Sequence, residues 1–338
     1  MKRFCKRLFF FFLPFLLLFT LIIGTFYLAD PFKILKPYPE FYNTIVHYNE
    51  DYVATERYLR SSTNFNSYIL GSSRAGVGFP DFLLEPYLKK TDTVYSFAAS
   101  NESIFGIAGK LKLIDRLNRP LDNVLIVLDP DRTFKRVSNS TGHLYIKHPL
   151  VSGESKDAFV KEYMKDYIFT GFFVAYWDYS LFKTKRKYMQ KFLNFDANPA
   201  EEYIAFNLKK RAAQIRVDSI HYYRERKDQF YERPGKETVL KKQIFSTVLD
   251  YLTEIKLIAD KHHTAVKIII SPLYDQKKLN PADLAILQDL FGRENVVDFS
   301  GKNAITEDKR NYFENSHFKP YIGSDILKKV YSGTIKKL

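Results

Sequence analysis

Apolar positions divide the chain into two unequal parts. Residues 1–7 carry Lys2, Arg3, Lys6 and Arg7, and from Leu8 to Ala29 no charged side chain follows. At about 1.5 Å per residue, a helix of that length spans a hydrocarbon core of roughly 30 Å. Pro14 is tolerable near its start. A cleaved signal peptide would have a shorter apolar region ending in a small-x-small site. Here Tyr27-Leu28-Ala29 puts an aromatic where a small residue is wanted. The pattern predicts an uncleaved transmembrane anchor with its basic flank in the cytoplasm. The expected localisation is therefore the cell membrane, single-pass, with an extracytoplasmic ectodomain. No other segment is long and apolar enough for a clear second span. Phe169 to Trp177 is apolar but short, which predicts a buried or lid-like helix segment.

Beyond the anchor, short apolar runs alternate with helical patterns. Ser67–Leu70, Val94–Phe97, Val124–Leu128, Val266–Ile270 and Val296–Phe299 have the character of buried parallel strands. Helices are predicted at about 104–117, 238–261, 281–291 and 323–330, with Pro281 suited to a first turn. This rhythm predicts an α/β fold, a flavodoxin-like three-layer sandwich around a parallel sheet. Ligands of such folds bind beyond the carboxyl ends of the strands. Residues 135–235 break the rhythm and predict a helical insertion. The expected organisation is a basic flank at 1–7, an anchor at 8–29, a juxtamembrane connection at 30–60 that packs partly on the domain, and an ectodomain at 61–338.

Composition narrows the class. Over 338 residues, 46% are hydrophobic and 27% charged, which excludes a disordered or low-complexity chain. The single cysteine excludes a disulfide framework and a thiolate zinc site. His262-His263 has no carboxylate at ligand spacing, so neither a metal nor another cofactor is expected. The formal net charge is +14. That is either a solvated basic surface or an attraction to anionic headgroups or an anionic envelope polymer. Nucleic acid is not an expected partner, because the basic domain lies on the far side of the membrane. The run Lys183 to Lys187 is a candidate headgroup contact.

Two segments carry candidate chemistry. In Tyr68-Ile69-Leu70-Gly71-Ser72-Ser73-Arg74 a buried strand ends in a glycine and two serines. A nucleophile emerges there in a parallel sheet, and the following N–H groups can stabilise an oxyanion. The same residues also suit a polar turn or a helix cap. Near the C-terminus, Glu314-Asn315-Ser316-His317 places a carboxylate three residues before a histidine, close enough to orient the imidazole from within one turn. Arg74 can hold an acidic substrate group or pair with Asp129 or Asp131.

Together the two segments resemble the SGNH (GDSL-like) hydrolase superfamily. Gly71-Ser72-Ser73 is similar to its first block, Gly-Asp-Ser, and Glu314-x-x-His317 to its last, Asp-x-x-His. The tail His317-Phe318-Lys319-Pro320 with Gly323 is similar to the membrane-anchored envelope branch, which includes DltD-like and alginate acetylation proteins. Ile268-Ile269-Ile270-Ser271-Pro272 resembles that branch's late core strand. The resemblance implies Ser73 as nucleophile, His317 as base and Glu314 as its orienting carboxylate. The chain departs from the pattern in three places. Glu314 stands for the usual aspartate. The second-block region, Tyr95 to Asn101, lacks the oxyanion glycine. The third-block strand end, Val127-Leu128-Asp129-Pro130-Asp131, lacks the asparagine. An aspartate there would oppose an oxyanion unless protonated or turned away. The substitute donors expected are the Ser73 N–H with Ser100 or Asn101. The implied function is a serine esterase or O-acyltransferase acting on an envelope polysaccharide or related polymer. The alternative is a non-catalytic accessory protein that binds an acyl donor, a polymer or a membrane-bound acyltransferase. A membrane-surface scaffold acting through its charge is a third class.

Overall fold

The computed structural model describes residues 2–40, 45–195, 203–233 and 235–332. They form two compact units, each assembled from non-contiguous segments. The first holds Met1–Asn49, Thr141–Ile146 and Glu154–Pro199, and the second Glu50–Ser140, Lys147–Gly153 and Ala200–Leu338.

The first unit begins with helix α1 (Lys2–Ala29), of which Arg3–Ala29 is long and apolar enough to cross a membrane. Asp30 then turns the chain, accepting from the Ile34 and Leu35 N–H groups at 3.0 and 2.9 Å. The unit also holds α5 (Lys156–Phe169) and α6 (Phe172–Phe182). Gly171 separates these two helices with a φ of 90°, a value that favours glycine. The apolar stretch 169–177 is therefore not one buried segment. Gly171 breaks it, and Phe169 and Val174 on either side are exposed.

The second unit is built on a parallel sheet of β1 (Ser67–Gly71), β2 (Val94–Ser96), β3 (Asn123–Leu128), β4 (Ala265–Ile270) and β5 (Val296–Asp298). The strand order is β2-β1-β3-β4-β5, one of the two common doubly wound orders. Strand residues alternate between two cores. Tyr68, Leu70, Ile126 and Ile268 face α2 (Glu50–Arg60), α4 (Ile104–Arg116), α9 (Ser246–Lys261) and α10 (Pro281–Phe291). Ile69, Leu125, Val127 and Ile269 face α3 (Ser73–Gly78), α8 (Ser219–Glu225) and α11 (Pro320–Val330). The remaining labelled elements are α7 (Tyr203–Val217) and a hairpin of β6 (Tyr312–Glu314) and β7 (His317–Phe318).

Two boundaries differ from the sequence expectation, and the 30–60 connection, expected to pack partly on the domain, contributes a helix to its core. Helix α2 belongs to the sheet unit, where Ala54 and Tyr58 are buried with Tyr68 and Phe97. Its Asp51 also enters a buried charge cluster. There Lys110 Nζ lies 3.0 Å from Asp51 and contacts Glu102, while Lys147 Nζ lies 2.7 Å from Glu102. The 135–235 insertion is divided between the two units rather than forming one cap. The helix expected from 238 starts only at Ser246, because the Asp283 carboxylate holds the Gln243 and Ile244 N–H groups in non-helical chain.

Close packing places α3 against the C-terminal elements. A Cβ on Gly78 would collide with the Phe318 ring, and one on Gly323 with the Gly78 carbonyl. Gly323→Ala is therefore expected to cost about 1–3 kcal/mol through overpacking. A lower midpoint in urea unfolding checks this, and an unchanged midpoint would contradict the contact.

Candidate active site

The rim at the carboxyl ends of β1 and β3 gathers the candidate residues. Gly71 closes β1 with a φ of 149°, and a Cβ there would meet the Val127 carbonyl on β3. Ser72 caps α3. Its Oγ accepts from the Arg74 N–H at 3.1 Å and donates to Asp129 Oδ2 at 2.6 Å. Ser73 is the first residue of α3, so its N–H has no intrahelical acceptor.

His317 and Glu314 meet in a different way from the single turn expected. They are paired residues of the β6–β7 hairpin, joined by Asn315 and Ser316. His317 Nδ1 contacts Glu314 Oε1, and His317 Nε2 lies 2.8 Å from Ser73 Oγ. The structure thus brings Ser73, His317 and Glu314 into one relay, with the serine–histidine distance inside the 2.6–3.2 Å useful for proton transfer. Tyr222 and Tyr223 on α8 support the hairpin, their hydroxyls donating to the Phe313 carbonyl at 2.6 Å and the Tyr312 carbonyl at 3.0 Å.

Burial pushes the His317 imidazole down from 6.5 to about 4. The guanidiniums of Arg74 and Arg211 act in the same direction, against the carboxylates of Asp129 and Glu50. The ring is therefore neutral at pH 7 and free to accept a proton. The stability it contributes as a neutral group is present above 6.5 and is lost as pH falls towards about 4.

Arg74 pairs with both of the aspartates considered for it. Its Nη1 lies 3.0 Å from Asp129 Oδ2 and 3.2 Å from Asp131 Oδ1, and its Nε donates to the Ser316 carbonyl at 2.8 Å. One side chain thus ties the helix carrying Ser73 to the turn carrying His317. Asp129 is buried and saturated, because Ser271 Oγ also donates to its Oδ1 at 2.7 Å. Its charge is opposed by Arg74 and both its oxygens are occupied. It is a structural hub on the rim.

Ser100 and Asn101, expected as substitute donors, are differently disposed. The Ser100 N–H donates to Glu50 Oε2 at 2.6 Å and is already committed. Asn101 sits in the left-handed region, with a φ of 55°, and its carbonyl accepts from Arg136 Nη1 at 3.2 Å.

Sequence reasoning missed Arg211 and Glu50. Arg211 on α7 pairs with Glu314 Oε2, the oxygen that His317 leaves open. It lies in a basic helical stretch with no local mark of such a role. Ser271, noted only within a core strand, also proves to hold the rim through Asp129.

In comparisons with known proteins, no family model and no curated protein matches this chain.

Proposed function

We propose that this protein is an SGNH-like serine esterase or O-acyltransferase, held at a membrane by α1, that acts on an envelope polysaccharide or related polymer. The observation that carries this reading is the Glu314–His317–Ser73 relay at the carboxyl end of the first strand of a doubly wound sheet. The motif resemblance supports the same assignment. In the proposed reaction Ser73 Oγ attacks an acyl carbonyl and gives its proton to His317 Nε2. Glu314 accepts from Nδ1–H and stabilises the imidazolium. The tetrahedral intermediate collapses to an acyl-serine, and His317 returns the proton to the leaving alkoxide. Water or a sugar hydroxyl then attacks the acyl-serine by the same route in reverse. The Ser73 N–H is the oxyanion donor with the clearest support.

The direct test is covalent labelling of the full chain in vesicles with a serine-directed fluorophosphonate, the site being mapped by mass spectrometry. Label on Ser73, absent from Ser73→Ala and His317→Ala, is the expected result. A folded, inserted chain that takes no label would overturn the catalytic reading.

The acidity of His317 supplies a second prediction. Because its pKa is depressed to about 4, kcat/KM should hold steady from pH 7 to well below 6 and fall only near 4. An unperturbed histidine would give a fall near 6.5. Arg211→Ala removes a cation that lowers this pKa and should move the acid limb to higher pH. An unchanged limb would show that Arg211 has no electrostatic role in the site.

A second reading rests on the Ser100 N–H, which is spent on Glu50 and leaves the oxyanion site short of one backbone donor. On that reading the protein is a non-catalytic accessory that holds an acyl donor or polymer, or docks on a membrane-bound acyltransferase. Polymer modification in cells that survives Ser73→Ala would favour it.

A further inference from the structure

We propose that helix α6 and the basic run after it form an interfacial foot, which lies in the headgroup region of the membrane and contacts anionic lipid. The proposal rests on α1 being the membrane span. The end of α1 is already inside the protein. Phe26 is fully buried, its ring 5.4 Å from that of Tyr167, and Thr25 Oγ1 lies 3.0 Å from the Tyr167 hydroxyl. The apolar stretch left for lipid, Leu8 to Gly24, is about 25 Å long, slightly less than a hydrocarbon core. Whatever grips residues 25 and 26 must therefore sit at the level of the headgroups.

Helix α6 is fixed to that grip. Trp177 Nε1 donates to the same Tyr167 hydroxyl at 2.7 Å, and the Phe172 ring packs 4.5 Å from that of Phe32. Yet α6 shows apolar side chains outward. Val174 and Leu181, seven residues apart on one face, are exposed, Leu181 to 70%, and Phe182 to 66%. Phe169 at the end of α5 is exposed as well. Immediately afterwards come the exposed cations Lys183, Lys185, Arg186 and Lys187, of which Arg186 pairs with Asp178 at 3.0 Å. Exposed apolar side chains and a tryptophan on a short helix, followed at once by a run of cations, suit the boundary between hydrocarbon and headgroups. Continuity with α1 sets its depth, and the cationic border selects anionic headgroups over neutral ones.

Trp177 is the only tryptophan in the chain, so its emission reports on α6 alone. The full chain is reconstituted in phosphatidylcholine vesicles, with and without phosphatidylglycerol. The lipid carries bromine either near the headgroup end of the acyl chain or near its tip. Shallow bromine is expected to quench Trp177 and deep bromine to spare it. Leu181→Asp with Phe182→Asp should abolish the quenching while the chain stays inserted. Phosphatidylglycerol should strengthen quenching, and converting Lys183, Lys185, Arg186 and Lys187 to glutamine should remove that dependence. An inserted chain whose Trp177 ignores shallow bromine overturns the proposal alone. Extraction of the chain by alkaline carbonate overturns the anchor reading and the proposal with it.

Discussion

On the proposed reaction, Ser73→Ala is expected to lower ester turnover by roughly 10⁴- to 10⁶-fold, because removing the proposed nucleophile abolishes the covalent route and leaves only binding and oxyanion effects. The fold should be unaffected. Ser73 opens a helix, alanine suits that position, and the hydroxyl's partner is the imidazole of His317. His317→Ala should cost about as much, and the double variant hardly more than either single one, because the residues act as one unit. Glu314→Gln should cost less, about 10⁴-fold, by presenting His317 with an amide that no longer fixes the productive tautomer. Hydrolysis of a simple aryl ester, with circular dichroism to verify folding, measures all four. Turnover retained in Ser73→Ala would remove this serine from the chemistry. Additive losses in the double variant would show that Ser73 and His317 act separately.

The parts of this structure legible in the sequence share a physical cause. Strands buried on both faces must be apolar at nearly every position, so β1, β3 and β4 stand out as continuous runs such as Ile268-Ile269-Ile270. Ser73 directly follows β1, and His317 lies between the last sheet strand and the last helix, so both fall on the side of the chain's crossovers where a doubly wound sheet has its rim. Arg211 was illegible because its contact with Glu314 joins residues 103 apart and leaves no periodicity in either segment. Helix α2 is hard to read as a core helix because five of its eleven residues, Glu50, Asp51, Glu56, Arg57 and Arg60, are charged. Its place is decided by Tyr58 and by Asp51 meeting Lys110, neither of which shows in a local pattern. Asp129 illustrates a subtler limit. The sequence shows an aspartate where an oxyanion donor would be expected and allows Arg74 as its partner, but nothing local marks Ser72 and Ser271 as the donors that complete its saturation.

That saturation makes Arg74 the most consequential residue outside the relay itself. Arg74→Met keeps the length of the side chain but leaves the Asp129 carboxylate buried without a countercharge, and takes the donor from the Ser316 carbonyl. Breaking one side of a buried pair typically costs about 3–5 kcal/mol. Against a total stability of about 5–15 kcal/mol for a domain, that is a large fraction. Adding Asp129→Asn should recover part of the loss, since the double variant buries no unpaired charge at that position. Urea midpoints of the single and double variants measure this, and strictly additive losses would show that the pair is not coupled. Arg74→Lys separates charge from geometry. A lysine restores a cation beside Asp129, but one ammonium lacks the planar fork that reaches the aspartates through Nη1 and Ser316 through Nε. Stability should therefore recover further than activity. With the Ser316 carbonyl untied, the hairpin can shift relative to Ser73, and a displacement of about 1 Å in a relay can cost roughly 100-fold in rate. Equal recovery of stability and turnover in Arg74→Lys would mean that Arg74 supplies only its charge. Recovered stability with depressed turnover would assign it the further task of holding His317 over Ser73.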